Sequence, residues 1–179
     1  MTEIQIVPVG SIDRDILDYL AVAVSESMDA HCSVSGITID PAVAFDTTRR
    51  QYNSTQLLSM LLESNEESGN GKLLGVADVD LFIPVLTFVF GEAQLDNRAA
   101  VASVHRLRQG FYGLPENERL FFERCEKESL HELGHAFGLV HCRDWECVMH
   151  FSNSIEQVDL KGAVFCQRCA AILKNGSFR

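Results

Sequence analysis

Positive charge is scarce in this chain. Fifteen Lys and Arg stand against 25 Asp and Glu, giving a formal net charge of −10. Phosphate binding needs a basic face, so nucleic acid is a poor candidate partner. Also missing is any apolar run long enough to cross a membrane. No repeats or low-complexity tracts interrupt the chain. No secretory leader is recognisable: Met1-Thr2-Glu3-Ile4 opens acidic and runs into a strand-like segment. The expectation is therefore a reducing, cytoplasmic compartment. What is present is a soluble globular composition, 46% hydrophobic and 22% charged over 179 residues. That length suits about one domain with a sizeable core.

The densest chemistry lies in His131-Glu132-Leu133-Gly134-His135-Ala136-Phe137-Gly138-Leu139-Val140-His141, which reads H-E-x-x-H-x-x-G-x-x-H. On a helix, His131 and His135 stand about 6 Å apart along the axis, so both imidazoles face one metal ion. Glu132 sits beside them, where its carboxylate can take a proton from water. Gly138 can adopt the left-handed conformation that ends a helix. The chain then turns and brings His141 back as a third nitrogen ligand, which leaves a position for water or substrate. A bare H-E-x-x-H arises in many unrelated helices. The glycine and third histidine at fixed spacing make the extended form specific for a metal hydrolase.

Helical context supports the motif. Pro115 suits a first helical position, and Glu116 and Glu118 complement the positive helix end. The sequence predicts one long helix from about Pro115 to Gly138.

Four cysteines follow the histidines: Cys142, Cys147, Cys166 and Cys169, the last two as C-x-x-C. Four thiolates around a tetrahedral zinc would make a closed, structural site that fastens the C-terminal tail to the loop carrying His141. A redox pair or disulfides are the competing readings, though no thioredoxin-like unit surrounds the C-x-x-C. Cys32 and Cys125 read as ordinary buried thiols. Met149 reads as core filling or, downstream of this motif, as the methionine of a turn beneath the metal. His31 and His105 fall at no ligand spacing and read as structural. His150, beside Met149, is a candidate for contact with substrate or transition state.

Together these residues resemble the archaemetzincins, metallopeptidases of the metzincin clan: the long histidine motif, Cys142 directly after His141, then Cys147, Met149 and Cys166-Gln167-Arg168-Cys169. Asp80-Leu81-Phe82-Ile83-Pro84 and Phe88-Val89-Phe90-Gly91-Glu92-Ala93 resemble that family's segments ahead of the active-site helix. The resemblance implies a zinc-dependent peptidase with His131, His135 and His141 as ligands to a catalytic zinc. It implies Glu132 as base, Met149 in the turn, and Cys142, Cys147, Cys166 and Cys169 on a second, structural zinc. There are two departures: the gap of sixteen residues between Met149 and Cys166 is about one shorter than the family pattern, a change that a loop tolerates, and the other is at Phe151. Some metzincins carry a tyrosine ligand two residues after the methionine, and Phe151 stands there.

Elsewhere, strands are predicted at residues 3–9, 31–39, 73–83 and 85–90, with 99–105 pairing back after a turn at Asp96-Asn97. Helices are predicted at about 13–28 and 52–62, and 63–71 reads as an exposed polar connection. Pro84 marks a sheet edge, to which an extended peptide could add near the metal. The expected fold is α/β: a compact metzincin-like domain with a mixed twisted sheet, a long active-site helix and a small zinc-stapled C-terminal subdomain. One domain would span 1–179, its N-terminal subdomain (1–138) ending in the active-site helix and its C-terminal subdomain (139–179) holding Met149 and the cysteines. The expected activity is peptide-bond hydrolysis on a peptide or protein substrate. The rival readings are a zinc-binding interaction module with little turnover, or hydrolysis of a non-peptide amide.

Overall fold

A computed structural model describes residues 2–65 and 71–176. Alternation of apolar residues builds a sheet that is covered on both faces. Its five strands are β1 (Glu3–Val9), β2 (His31–Val34), β5 (Lys72–Ala77), β7 (Gly91–Ala93) and β8 (Ala99–Ser103), in the order β2-β1-β5-β8-β7. All neighbours are parallel except β7, which runs antiparallel to β8 at one end of the sheet. Ile4, Ile6, Leu74, Val76, Ala100 and Ala102 point to one face. Val7, Val9, Leu73, Ala77, Ala99 and Val101 point to the other. Burial on both sides is the usual condition of a parallel sheet.

Two helices cover the first face: α1 (Arg14–Met28) and α3 (Glu118–Ala136), which pack on each other and on the sheet. Leu17, Leu20 and Val24 of α1 and Leu130 and Leu133 of α3 share that core with Met149, Ile155 and Val158 from the C-terminal segment. Helix α2 (Ser54–Ser64) covers the opposite face through Leu57, Leu58 and Leu61. A small second sheet, in the order β3-β4-β6, joins β3 (Phe45–Asp46), β4 (Gln51–Asn53) and β6 (Leu81–Phe82). Two short helices, α4 (Ile155–Leu160) and α5 (Gln167–Gly176), complete the C-terminal segment. No described helix is long and apolar enough to cross a membrane.

Several boundaries differ from the sequence reading, each for a local reason. Helix α3 starts at Glu118, because the Asn117 side chain accepts from the Leu120 amide and takes the N-cap; Pro115 lies before the helix. Helix α2 starts after Asn53, which caps the Gln56 amide in the same way. The strand expected at 31–39 stops at Val34, with Ile39 retaining a single bridge to Val9. The run 73–83 divides into β5 and β6 around Asp78 and Asp80, whose carboxylates are engaged by Arg108 and Arg106.

The strand expected at 85–90 is a turn instead. Arg49 and Gln51 take the carbonyls of Leu86 and Thr87, and only Val89 bridges back to Leu81. Ser103 ends the strand expected at 99–105. In the polar stretch 63–71, residues 66–70 lie outside the described residues.

Candidate metal centre

Helix α3 carries His131 and His135 on the face turned toward β7. Its C-terminal end is fixed from several sides. Lys72 Nζ donates to the Ala136 carbonyl, and the amides of Asp96 and Gly138 both reach the His135 carbonyl. Gly138 then adopts φ +88° and turns the chain, as its place in the motif predicts. That turn returns His141 to its partners, so that the three imidazoles each offer a nitrogen within 4.8 Å of the others.

The hydrogen bonds fix which nitrogen faces inward. His131 Nδ1 lies 2.8 Å from the Val148 carbonyl, and His135 Nδ1 lies 2.7 Å from the Leu139 carbonyl. A carbonyl can only accept, so each Nδ1 carries the proton and each Nε2 carries a lone pair. Those two Nε2 atoms stand 3.2 Å apart. Two lone pairs at that distance repel unless a cation lies between them. Nitrogens on a tetrahedral zinc, with bonds of about 2.05 Å, stand about 3.4 Å apart. The donor set and its spacing therefore fit zinc.

Protonation points the same way. Burial, and then the charge of Lys161, pushes His131 well below its ordinary range. Burial also lowers His135 and His141. All three are held in the neutral form that binds metal.

Glu132 is 6% exposed, and a Cβ on Gly91 of β7 would collide with its Cγ and Cδ. The carboxylate therefore lies directly against the edge strand, and glycine is what allows the approach. Burial raises its pKa well above the usual carboxylate range, and the charge of Glu128 adds to that. A carboxylate tuned upward in this way would be better matched to proton transfer near neutrality. Met149 packs beneath the same helix turn, and a Cβ on Gly134 would overlap its Sδ. Phe151, in place of a tyrosine, sets its ring 5.0 Å from that of His141.

The four downstream cysteines also converge, their sulfurs lying within 4.8 Å of one another. Cys142 and Cys166 sulfurs are 3.8 Å apart, and the Cys166 amide donates to Cys147 Sγ. Sulfurs on a tetrahedral zinc with bonds of about 2.3 Å would be about 3.8 Å apart, so this set also fits the ion. The Cys169 amide holds Cys166 down to about 7, while burial pushes Cys147 and Cys169 up. The Cys142 amide bonds the Met149 carbonyl, and His150 Nδ1 bonds the Cys142 carbonyl. The cysteine cluster, the Met149 turn and His141 are thus one mechanical unit.

The remaining sequence candidates lie apart from this centre or behind it. His31 is exposed on β2, and His105 stands 3.6 Å from Asp78. Cys125 is buried and Cys32 half-buried, and burial pushes both thiols up. His150 is tied to the cysteine loop and does not line the cleft. Sequence reasoning missed Gly91, Gly134 and Lys161. Lys161 is fully buried, with Nζ 2.8 Å from Glu128 Oε1 and 3.4 Å from His131 Nδ1. Nothing in the local sequence marks it, because its side-chain partners Glu128 and His131 lie 33 and 30 positions away on α3.

A cleft of about 600 Å³ opens over the histidines, walled by Ile83, Leu86 and Phe88 on one side and by Phe151, Ser152 and Asn153 on the other. A family model described as "Peptidase family M54" matches residues 11–175. The chain belongs to that family. Its relatives there are archaemetzincins. That of Thermococcus kodakarensis is 39% identical, with 94% of each chain covered. That of Methanocaldococcus jannaschii is 40% identical, covering 94% of this chain and 90% of its own. The crystal structure of the Methanopyrus kandleri archaemetzincin superposes with a TM-score of 0.83 at 36% identity, covering 99% of this chain and 96% of that one. A zinc-dependent peptidase from Methanocorpusculum labreanum superposes with a TM-score of 0.86 at 28% identity, covering 95% and 99%. Membership in M54 makes this chain a zinc metallopeptidase, as the resemblance of its motifs implied, and the mixed α/β architecture is that of these relatives.

Proposed function

We propose that the chain hydrolyses peptide bonds with Glu132 as its general base. His131, His135 and His141 would hold the catalytic zinc, and Cys142, Cys147, Cys166 and Cys169 a second, structural one. The observation that carries the reading is the pair of Nε2 lone pairs facing each other at 3.2 Å, with Glu132 beside them. Zinc, when held there, supplies a Lewis acid for the scissile carbonyl and makes water more acidic. The chain's own part is positional and protic. Glu132 takes a proton from the attacking water and delivers it to the leaving amine nitrogen. Carbonyls of Val148 and Leu139 keep the imidazoles in the tautomer that presents Nε2.

β7 ends its sheet, so an extended peptide can add along its free edge and pass over Glu132. Pro84 follows β6, which ends the second sheet, so the edge expected there also stands beside the cleft that Ile83 lines. Four cysteines gathered as a metal site suit a reducing interior, and we place the protein in the cytoplasm on that ground.

Glu132→Gln tests the reading, because the amide nearly keeps the volume but cannot take the proton. Turnover on a peptide library, read by mass spectrometry, should fall by at least about 10²–10⁴-fold while zinc content stays at the wild-type level. Retained turnover would remove Glu132 from the mechanism.

A further inference from the structure

Lys161 is 2% exposed and ends the turn after α4, directly behind the histidine cluster. Its Nζ lies 2.8 Å from Glu128 Oε1 and 3.5 Å from the His150 carbonyl. Glu128 is 3% exposed and lies one helical turn ahead of Glu132, on the face of α3 that lines the cleft with the three histidines. Its Oε1 makes no aligned hydrogen bond among the described residues, so the Lys161 charge is what holds it. A carboxylate is a competent zinc ligand, and a three-histidine site has a coordination position to fill. A fourth protein ligand would close that position, as in structural sites.

We propose that Lys161 is a positioning residue that sequesters the Glu128 carboxylate and so keeps the catalytic metal site open. Burying two charges is costly, and an apolar pair would pack the same space more cheaply. On this account the ion pair has a use that stability alone does not supply. Without Lys161, the Glu128 carboxylate would be buried beside the metal cleft without the cation that pairs with it among the described residues.

The test uses the full chain with cobalt(II) exchanged into the histidine site, whose visible absorption reports coordination number. In Lys161→Met the absorption should weaken and shift as a carboxylate joins the metal. Chelators should remove the ion more slowly than from wild type, and kcat should fall roughly 10–100-fold, the range for groups that control a metal's ligands. Lys161→Met combined with Glu128→Gln should return the spectrum, the chelator rate and most of kcat toward wild type. A merely structural lysine gives the opposite sign: faster metal loss, an unchanged spectrum and no recovery in the double variant. That result, or a single variant indistinguishable from wild type, overturns the proposal. If Lys161→Met does not fold, Lys161→Gln removes the same charge and is read in the same way. The inference rests on the three-histidine reading, whose failure is distinguishable: wild-type protein would then show no cobalt spectrum from nitrogen ligands.

Discussion

At the scale of single residues, the centre depends on two glycines that let other groups approach. Gly134 lies inside α3, where glycine ordinarily costs about 0.5–1 kcal/mol relative to alanine. Gly134→Ala should nevertheless destabilise, because its Cβ would overlap Met149 Sδ and come within 3.3 Å of Phe165. Overpacking of this kind costs about 1–3 kcal/mol, more than the helix gains. Thermal melts should show a lower Tm for Gly134→Ala and partial recovery when Met149→Ala is added, since the two sites share one contact. A raised Tm in the single variant would mean that Met149 can move aside freely. The convergence of the imidazoles was legible in sequence, because helical spacing alone brings His131 and His135 together. Gly134, Gly91 and Lys161 were not, because each acquires its meaning from a residue in another element.

At the scale of elements, the sequence located the long helix and its end at Gly138 but not its beginning. Pro115 is a favourable first residue, yet Asn117 offers the side-chain acceptor that the helix end needs, and the cap prevails. The run 85–90 has strand composition, but Arg49 and Gln51 hold its carbonyls from outside and Arg106 lies over the Phe88 ring. Long-range polar contacts of that kind leave no local pattern.

The cysteine cluster links α5 to the loop of His141, and this gives an element-level prediction. If the cysteines hold the proposed second zinc, Cys169→Ser should lower Tm and zinc content and loosen α5, because metal binding there would be coupled to ordering of the tail. Activity should follow through the weakened hold on His141. Adding Cys166→Ser should cost little more, since both act through one ion. Unchanged Tm with full zinc content would return the C-x-x-C to a redox reading.

At the scale of the whole molecule, the succession of strand-like and helix-like segments made an α/β layering readable, while the strand order and the reversed β7 depended on tertiary pairing. The same burial that builds the core sets how stability responds to pH. With the histidine site stripped of metal, His131, His135 and His141 remain neutral in the fold below their ordinary value of 6.5, chiefly because burial opposes their charge. Unfolding exposes them, so the unfolded chain binds more protons. Their contribution is present above about pH 6.5 and is lost as pH falls from there through their folded values. Glu132 acts with the opposite sign. Its folded pKa is raised above 4.5, so its contribution is present at low pH and is lost as pH rises through the folded value. Three groups oppose one, so acidification should destabilise the metal-free protein. Its Tm should fall between about pH 7.5 and about pH 5.5, over which free histidine becomes charged. Glu132→Gln should make the fall steeper, because it removes the single opposing group. A Tm that stays level across this range, or a shallower slope in Glu132→Gln, would show that the imidazoles are not held neutral by the fold.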